Sequence, residues 1–199
     1  MLVGTPDDTR PRGTARRDAL LDAVLRVVAD AGVDAVTHRR VADAAGLPLA
    51  STTYWFESKE QMLTEALARA ADRDIERLHA RLGETPARVA DPVGLAVEAI
   101  LGPSDESPQS SRALLLATYT LMLEAARRPA LREVMRRWTD AYMKALPPLL
   151  AAAGSRHARS DAELLLAAAD GLLVDQLASD DASNLAPRLR RLSEALVKP

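Results

Sequence analysis

The feature that most constrains the fold is the helical spacing of apolar residues along almost the whole chain. Leucine and alanine recur three and four residues apart among arginines and glutamates, whereas valine, isoleucine and aromatic residues are too sparse and irregular for strands. Glycine and proline mark the breaks. The pattern predicts an all-α fold of about nine helices, near residues 14–31, 37–45, 48–55, 58–82, 92–101, 111–127, 130–153, 161–178 and 185–197.

Short-range signals mark several helix ends. Thr37 is placed to cap the second helix, and Gly46 to end it. Pro48 suits the first turn of the third helix, where its missing N–H breaks no bond. Ser58 with Gln61 three residues later predicts a capping box at the start of the long fourth helix. Two adjacent prolines at 147 and 148 predict that the seventh helix kinks or ends near residue 146.

Composition narrows the class of protein. The 199 residues are 48% hydrophobic, so a substantial core can form, and the absence of cysteine removes disulfides, thiolate metal sites and cysteine nucleophiles. No run approaches the roughly 18 apolar residues of a membrane span, and the N-terminus lacks a signal-peptide core. We expect a cytoplasmic protein that does not enter the membrane and carries no metal or cofactor.

The net charge of −2 is opposite to the basic balance typical of nucleic-acid binders. Two local clusters of basic residues offset it, because a short basic surface can bind phosphates even in an acidic protein. Arg10 and Arg12 belong to the first cluster and lie either in the minor groove as part of a flexible arm, residues 1–13, or in a solubilising tail. The clusters are Arg10, Arg12, Arg16 and Arg17, and His38, Arg39 and Arg40.

Residues 37–56 have the pattern of a helix-turn-helix. A capped short helix is followed by a glycine-containing turn and a second short helix rich in hydroxyl and aromatic side chains, Ser51, Thr52, Thr53, Tyr54 and Trp55. A core helix would not carry five such residues in succession. Hydroxyls can donate to phosphates or base edges, and aromatic rings can pack against sugars. The pattern therefore predicts a DNA-reading helix.

The stretch THRRVADAAGLPLASTTYWFESKE, residues 37–60, resembles the helix-turn-helix of the tetracycline-repressor (TetR) family, including the turn glycine, the aromatic pair and Ser58-Lys59-Glu60. The resemblance implies a DNA-binding domain at residues 14–60 and an effector-binding and dimerisation domain at residues 61–199. It also implies the following DNA contacts: Thr37, His38, Arg39, Tyr54, Trp55 and Lys59 near the backbone, and Leu49, Ala50, Ser51 and Thr53 in the major groove.

Each of these assignments has a structural alternative. Thr37 is either only an N-cap or also a phosphate ligand, and Tyr54 and Trp55 either clamp phosphates or fill the small core. Arg39 and Arg40 are either DNA contacts or simply solvated. The sequence also departs from the family pattern at Pro48, Leu49, Thr52 and Thr53, where capping serine, lysine, an apolar core residue and tyrosine are common.

The seventh helix carries an apolar stripe, and the sixth carries a second apolar face with polar tips. Mixtures of apolar walls and a few hydrogen-bonding groups are typical of ligand pockets. The resemblance places an effector cavity here, and ordinary core packing is the alternative for each residue. The candidate effector residues are Tyr119, Met122, Leu123, Met135, Trp138, Tyr142, Asp170 and Val174. Three alternatives are open for Asp170 and Asp175: each is buried and paired, or points at the effector, or lies at the edge of the apolar helix face.

The last two helices carry faces suited to close helix packing. Small side chains line one helix and leucines at 4-3-4 spacing line the other. In the resembled family the matching helices pair into a four-helix bundle, which implies a two-fold homodimer. The candidate interface residues are Ala167, Gly171, Val174 and Ala178, and Leu185, Leu189, Leu192 and Leu196.

The sequence contains no catalytic fingerprint, and its three histidines, His38, His79 and His157, lie far apart. We therefore expect no enzyme. The predicted function is regulation of transcription, with double-stranded DNA and an unknown small-molecule effector as partners and release from a palindromic operator when the effector binds. The alternative is a helical protein-interaction module that has lost specific DNA binding.

Overall fold

The computed structural model describes residues 12–83, 89–101, 108–179 and 184–197. Within these ranges the protein consists of nine α-helices and a single 3-10 turn at Val33–Ala35, so the predicted all-α fold is confirmed. The helices are α1 (Arg12–Ala31), α2 (His38–Ala45), α3 (Leu49–Trp55), α4 (Lys59–Gly83), α5 (Pro92–Leu101), α6 (Pro108–Glu124), α7 (Pro129–Ala152), α8 (Ala158–Ser179) and α9 (Leu185–Val197).

Several predicted boundaries are displaced. Helix α1 begins at Arg12, so the predicted arm of residues 1–13 is too long by two residues, and its remainder, including Arg10, lies outside the described residues. Helix α6 ends at Glu124 rather than near 127. Arg128 is extended there, with φ −119° and ψ 106°, because the following Pro129 disfavours a helical conformation at the residue before it. Helix α8 begins at Ala158, three residues earlier than predicted.

Helix α7 continues through Pro147 and Pro148 to Ala152, so of the two predicted alternatives, a kink or an end near residue 146, the end is wrong. A proline inside a helix costs about 3 kcal/mol, since it removes an N–H donor and crowds the preceding turn. The side chains around the prolines, Leu146, Leu149 and Leu150, are all buried in the core. Burial of these three leucines offsets the lost hydrogen bonds.

Two hydrophobic clusters organise the helices. The first joins α1, α2 and the N-terminal half of α4 to parts of α6 and α7, and the second joins α5, α7, α8 and α9 around Leu78 of α4. Trp138 of α7 packs against both clusters. Helix α4 therefore connects the helix-turn-helix to the C-terminal body without a break, and the predicted domain boundary at residue 60 falls at its first turn.

Across the described ranges, none of the helices has the length and hydropathy needed to cross a membrane.

Candidate DNA-binding surface and effector-binding body

The turn between α2 and α3 has the local geometry of a helix-turn-helix. Thr37 caps α2 as predicted, because its Oγ1 accepts the N–H of Arg40 at 3.2 Å. Gly46 ends α2 in the left-handed conformation, with φ 66°. The next residue, Leu47, donates its N–H to the Ala42 carbonyl at 3.0 Å. Pro48 is the N-cap of α3, one position before the first turn where it was predicted.

Helix α3 is held to the protein by one face only. Thr52 and the following residue Phe56 are fully buried. The Thr52 hydroxyl lies 2.8 Å from the Leu49 carbonyl and 3.3 Å from the His38 carbonyl, so its single proton is shared between an acceptor within α3 and one on α2. A polar residue at this core position is tolerated because its hydroxyl has partners.

The opposite face of α3 is open to solvent. Leu49 is 49% exposed and Tyr54 78% exposed, and Ala50 and Thr53 are also exposed. Ser51 is half-buried. An exposed leucine and an exposed tyrosine on a seven-residue helix have no role in the protomer core. These five residues, all predicted as DNA contacts, lie on α3 with four of them facing outward.

Tyr54 and Trp55 differ in their surroundings. Their rings meet edge to face, with centroids 4.9 Å apart and planes at 88°. Trp55 is half-buried against the first hydrophobic cluster and lies beside Gly13 of α1, whereas Tyr54 is exposed. Of the two alternatives, core packing therefore applies in part to Trp55 and not to Tyr54.

The basic residues near this surface differ in their exposure and in their partners. Arg39 and Arg40 are exposed on the first turn of α2. His38 is half-buried, and its Nδ1 is buried without a hydrogen-bond partner among the described residues. Lys59, at the start of α4, lies 3.5 Å from the exposed Asp34 carboxylate. A DNA phosphate would compete with Asp34 for this lysine.

The start of α4 is fixed by hydrogen bonds and ion pairs. Ser58 accepts the Gln61 N–H at 3.1 Å as predicted, while the Gln61 side chain accepts the N–H of Glu57 rather than that of Ser58, at 2.7 Å. Further along, Arg69 lies 2.8 Å from Asp18 and 3.2 Å from Asp22, both on α1. These bonds fix α4 against the helix on which α2 and α3 pack.

The body contains a buried carboxylate that the sequence analysis missed. Asp74 of α4 accepts hydrogen bonds from Trp138 Nε1 at 2.6 Å and from the Tyr142 hydroxyl at 2.7 Å, both on α7, and pairs with Arg77. Its spacing from the buried Ala71 and Leu78 places it on the core face of α4, which is the signal that could have revealed it. Burial raises the pKa of Tyr142 to about 12.

A second carboxylate lies between α6 and α8. The Tyr119 hydroxyl donates to Asp170 at 2.9 Å, and both side chains are half-buried. Burial raises the pKa of Asp170, and burial together with the Asp170 charge raises the pKa of Tyr119 above its usual range. Of the alternatives for the two aspartates, Asp170 is half-buried and hydrogen-bonded, whereas Asp175 is exposed and lies 3.6 Å from Arg188.

The remaining candidate effector residues are not all interior. Met122 and Met135 are half-buried, but Leu123 is 76% exposed and Val174 47% exposed, so of the alternatives for Leu123, packing in the protomer core is wrong. Leu123 lies on the solvent side of α6 because the helix packs through the opposite face, at Ala117 and Leu121. Two cavities among the described residues, of about 340 Å³ between α1 and α4 and about 130 Å³ between α8 and α9, are lined by other side chains.

The two predicted association faces also differ. On α8, Ala167, Gly171, Val174 and Ala178 are exposed. On α9, Leu189 is fully buried and the other seam leucines are half-buried beside it in the second cluster, so the α9 seam packs on the protomer's own core. Periodicity identified the apolar face correctly but not the surface that covers it. The other seam residues are Leu185, Leu192 and Leu196.

A short capped helix, a glycine turn and an outward-facing second helix, mounted on an all-helical body, define the class of helix-turn-helix regulators. Comparison with known proteins agrees. Residues 20–66 match the family model for bacterial regulatory proteins of the tetR family, and residues 101–199 match the tetracyclin repressor-like C-terminal domain. The chain belongs to the TetR family, a family of transcriptional regulators and not of enzymes.

Curated relatives match over about a third or less of their own length and of this chain. The HTH-type transcriptional repressor KstR2 of Mycolicibacterium smegmatis is 43% identical over 60 residues, which are 30% of this chain and 29% of that protein. Solved structures match along most of the chain. A member of the TetR family from Streptomyces coelicolor A3, SCO1917, is 30% identical with a TM-score of 0.69, covering 92% of this chain and 99% of the other.

A second solved structure is the multidrug binding protein EbrR complexed with imidazole, which is 30% identical with a TM-score of 0.65 and covers 100% of this chain and 98% of the other. The same protein complexed with ethidium gives a TM-score of 0.63.

Proposed function

We propose that this regulator is a homodimeric repressor that binds a palindromic operator through α3 and is released when a small molecule binds in the body. The observation that carries the DNA-binding part is the division of α3 into two faces. Thr52 and Phe56 anchor the helix, and Leu49, Thr53 and Tyr54 extend into solvent. Such a helix is suited to the major groove, where hydroxyls and methyl groups distinguish base pairs. The alternative of an interaction module without specific DNA binding has no comparable observation in its favour.

The proposed DNA contacts fall into two groups, one to the base edges and one to the phosphates. Leu49, Ala50, Ser51 and Thr53 face the base edges, with apolar contact to thymine methyl groups from the first two. Phosphates on either side are bound by Thr37, His38, Arg39, Tyr54, Trp55 and Lys59. Phosphate contacts from Arg39 and Lys59 carry most of the affinity, since each releases counterions, and the α3 contacts carry the sequence preference.

Helix α8 is the proposed dimer face. Its exposed side includes small residues that allow close helix approach, together with Leu164 and Val174, which are 54% and 47% exposed. A Cβ added at Gly171 would have no neighbour within 4 Å, so the protomer itself leaves this position open. A two-fold dimer would present its two α3 helices to half-sites one DNA turn apart.

The effector part is supported by the polar and aromatic side chains of α6, α7 and α8, and by the multidrug binding protein EbrR among the similar structures. An effector there would act through α4, which joins the body to the DNA-binding helices. A coupling of about 1–3 kcal/mol is typical of such proteins and needs only a small movement. The effector must bind the two states with different affinities, since equal affinities would give no response.

Fluorescence anisotropy with duplex DNA from the promoter region of its own gene, at two salt concentrations, tests the proposal. We expect sequence-selective binding that weakens with salt and is lost in the triple variant Arg39→Ala, Thr53→Ala, Lys59→Ala. An Arg136→Ala variant, which alters an exposed arginine on α7, serves as the matched control and should bind like the wild type. If the folded protein bound scrambled DNA as tightly as the promoter DNA, the proposal that it recognises a specific operator would be rejected.

Sedimentation velocity of Gly171→Arg tests the dimer face. Because the glycine has open space around it in the protomer, arginine should leave folding intact and shift the protein to monomers. A dimer that survives this change would place the interface elsewhere.

A further inference from the structure

The half-buried carboxylate of Asp170, on α8, has no ion pair among the described residues. Asp170 accepts a hydrogen bond from the neutral Tyr119 hydroxyl, and no arginine, lysine or histidine contributes to its environment. Asp74, by contrast, is paired with Arg77. Tyr142 donates to Asp74, and the charges of both Arg77 and Asp170 act on its pKa. Two carboxylates and one guanidinium therefore leave one negative charge without compensation.

The surroundings of this charge are aromatic and apolar. Tyr119 supplies a ring from α6 and Tyr142 supplies one from α7, and the two tyrosine hydroxyls are already directed to carboxylates. A partly desolvated carboxylate is destabilised relative to water, and burial accordingly raises the pKa of Asp170. A positive charge placed beside it would remove that penalty, and the ring faces would attract the same charge.

The junction of α6 and α8 also offers apolar surface to a ligand. Leu116 and Leu123 are exposed and lie three residues before and four residues after Tyr119, so they flank it on the same side of α6. Asp170 is half-buried, so the protomer does not fully enclose its side chain. The combination of an incompletely buried carboxylate and neighbouring exposed leucines fits a molecule that is both charged and apolar.

We propose that the effector is an organic monocation with apolar aromatic groups, and that its positive charge faces Asp170. This inference rests on the proposed effector function and names the ligand class of that site. It assigns Asp170 the role of the residue that selects for charge, with Tyr119 orienting its carboxylate.

Isothermal titration with two ions of the same shape and opposite charge, tetraphenylphosphonium and tetraphenylborate, tests the proposal. Wild-type protein should bind the cation and not the anion. Asp170→Asn keeps the acceptor for Tyr119 but removes the charge, so cation affinity should fall about tenfold or more. Asp175→Asn, on the same helix but exposed and paired with Arg188, should change affinity by less than about twofold.

The position of binding is read from tryptophan fluorescence. The chain has two tryptophans, so Trp55→Phe leaves Trp138 as the only emitter, and its emission should change with the cation. Equal binding of both ions, unchanged affinity in Asp170→Asn, or failure to bind both tetraphenylphosphonium and the smaller benzyltrimethylammonium would overturn the proposal.

Operator binding, measured on the same preparations, separates this inference from the proposed function. If neither cation binds but operator binding is intact, the regulator assignment stands and the ligand class is wrong. If a neutral or anionic compound releases the operator, the effector mechanism stands and the role of Asp170 is wrong.

Discussion

Replacing Thr52 with valine isolates the hydrogen bonds that hold α3 in place. The substitution preserves the shape of a fully buried side chain and removes only the hydroxyl. That hydroxyl has one proton to share between the Leu49 carbonyl at 2.8 Å and the His38 carbonyl at 3.3 Å, so at most one good hydrogen bond is lost. Both carbonyls begin helices and keep main-chain donors. We therefore expect a loss of about 1 kcal/mol in the free energy of unfolding.

For a chain of this length, a loss of that size lowers the Tm by about 2–4 °C. The matched control is Thr53→Val, one residue further on α3. Thr53 is exposed, and its hydroxyl bonds only to the Ala50 carbonyl of its own helix, at 3.3 Å. Thr53→Val should therefore change stability by less than about 0.5 kcal/mol.

The two variants should rank in the opposite order for operator affinity, with Thr53→Val the more strongly affected. Thr53→Val removes a hydroxyl proposed to contact a base and should lower operator affinity by about 1 kcal/mol or more, whereas Thr52→Val leaves the outward face intact. Thermal denaturation and anisotropy on the two variants measure both quantities. If Thr53→Val lowers the Tm as much as Thr52→Val, the division of α3 into an anchoring and a reading face is refuted.

Three further predictions concern other parts of the molecule. Asp34→Asn should strengthen operator binding about two- to fivefold at low salt by freeing Lys59 for phosphate, and anisotropy would contradict this if affinity fell. Asp170→Asn should raise the Tm at pH 7.5, and this gain should shrink towards pH 4. The reason is that the raised pKa of Asp170 makes the folded protein less stable as the pH rises through that pKa and the carboxyl group ionises. A gain in Tm that does not depend on pH would exclude ionisation of Asp170 as the cause. Leu189→Ala should cost about 2–5 kcal/mol in chemical denaturation at every protein concentration, whereas Val174→Arg should alter only the sedimentation coefficient.

The sequence predicted the helices well because their signals are local. Thr37, Gly46 and Ser58 act on the backbone within a few residues, so the type of each side chain is enough to locate a helix end. Helix α7 shows the limit of this reasoning. Its two prolines are strong local breakers, but burial of neighbouring leucines by distant helices outweighs them.

The candidate sites were less predictable because they depend on which surfaces meet. The leucine spacing of α9 correctly indicated an apolar face, but spacing does not reveal whether the protomer or a partner covers that face. The same limit applies to Leu123 on α6, because its spacing places it among apolar residues although its side chain is exposed. Asp74 was missed because its hydrogen-bond partners, Trp138 and Tyr142, lie more than 60 residues away in sequence.

The bonds along α4 indicate how a change in the body would reach the DNA. Its N-terminal half is tied to α1 by Arg17–Glu65 and by Arg69 and Arg73 with Asp22, and Arg26 of α1 donates to the Ala44 carbonyl at the end of α2.

Sliding α4 along α1 would break several of these partly buried pairs together. Directly after Arg73, Asp74 binds α7 through two hydrogen bonds, and a hydrogen bond to a charged group contributes about 1.5–3 kcal/mol. Breaking both hydrogen bonds of Asp74 would cost at least as much as a coupling of about 1–3 kcal/mol. We therefore expect α1 to α3 and the first half of α4 to move as one unit, turning about the contact of Asp74 with α7.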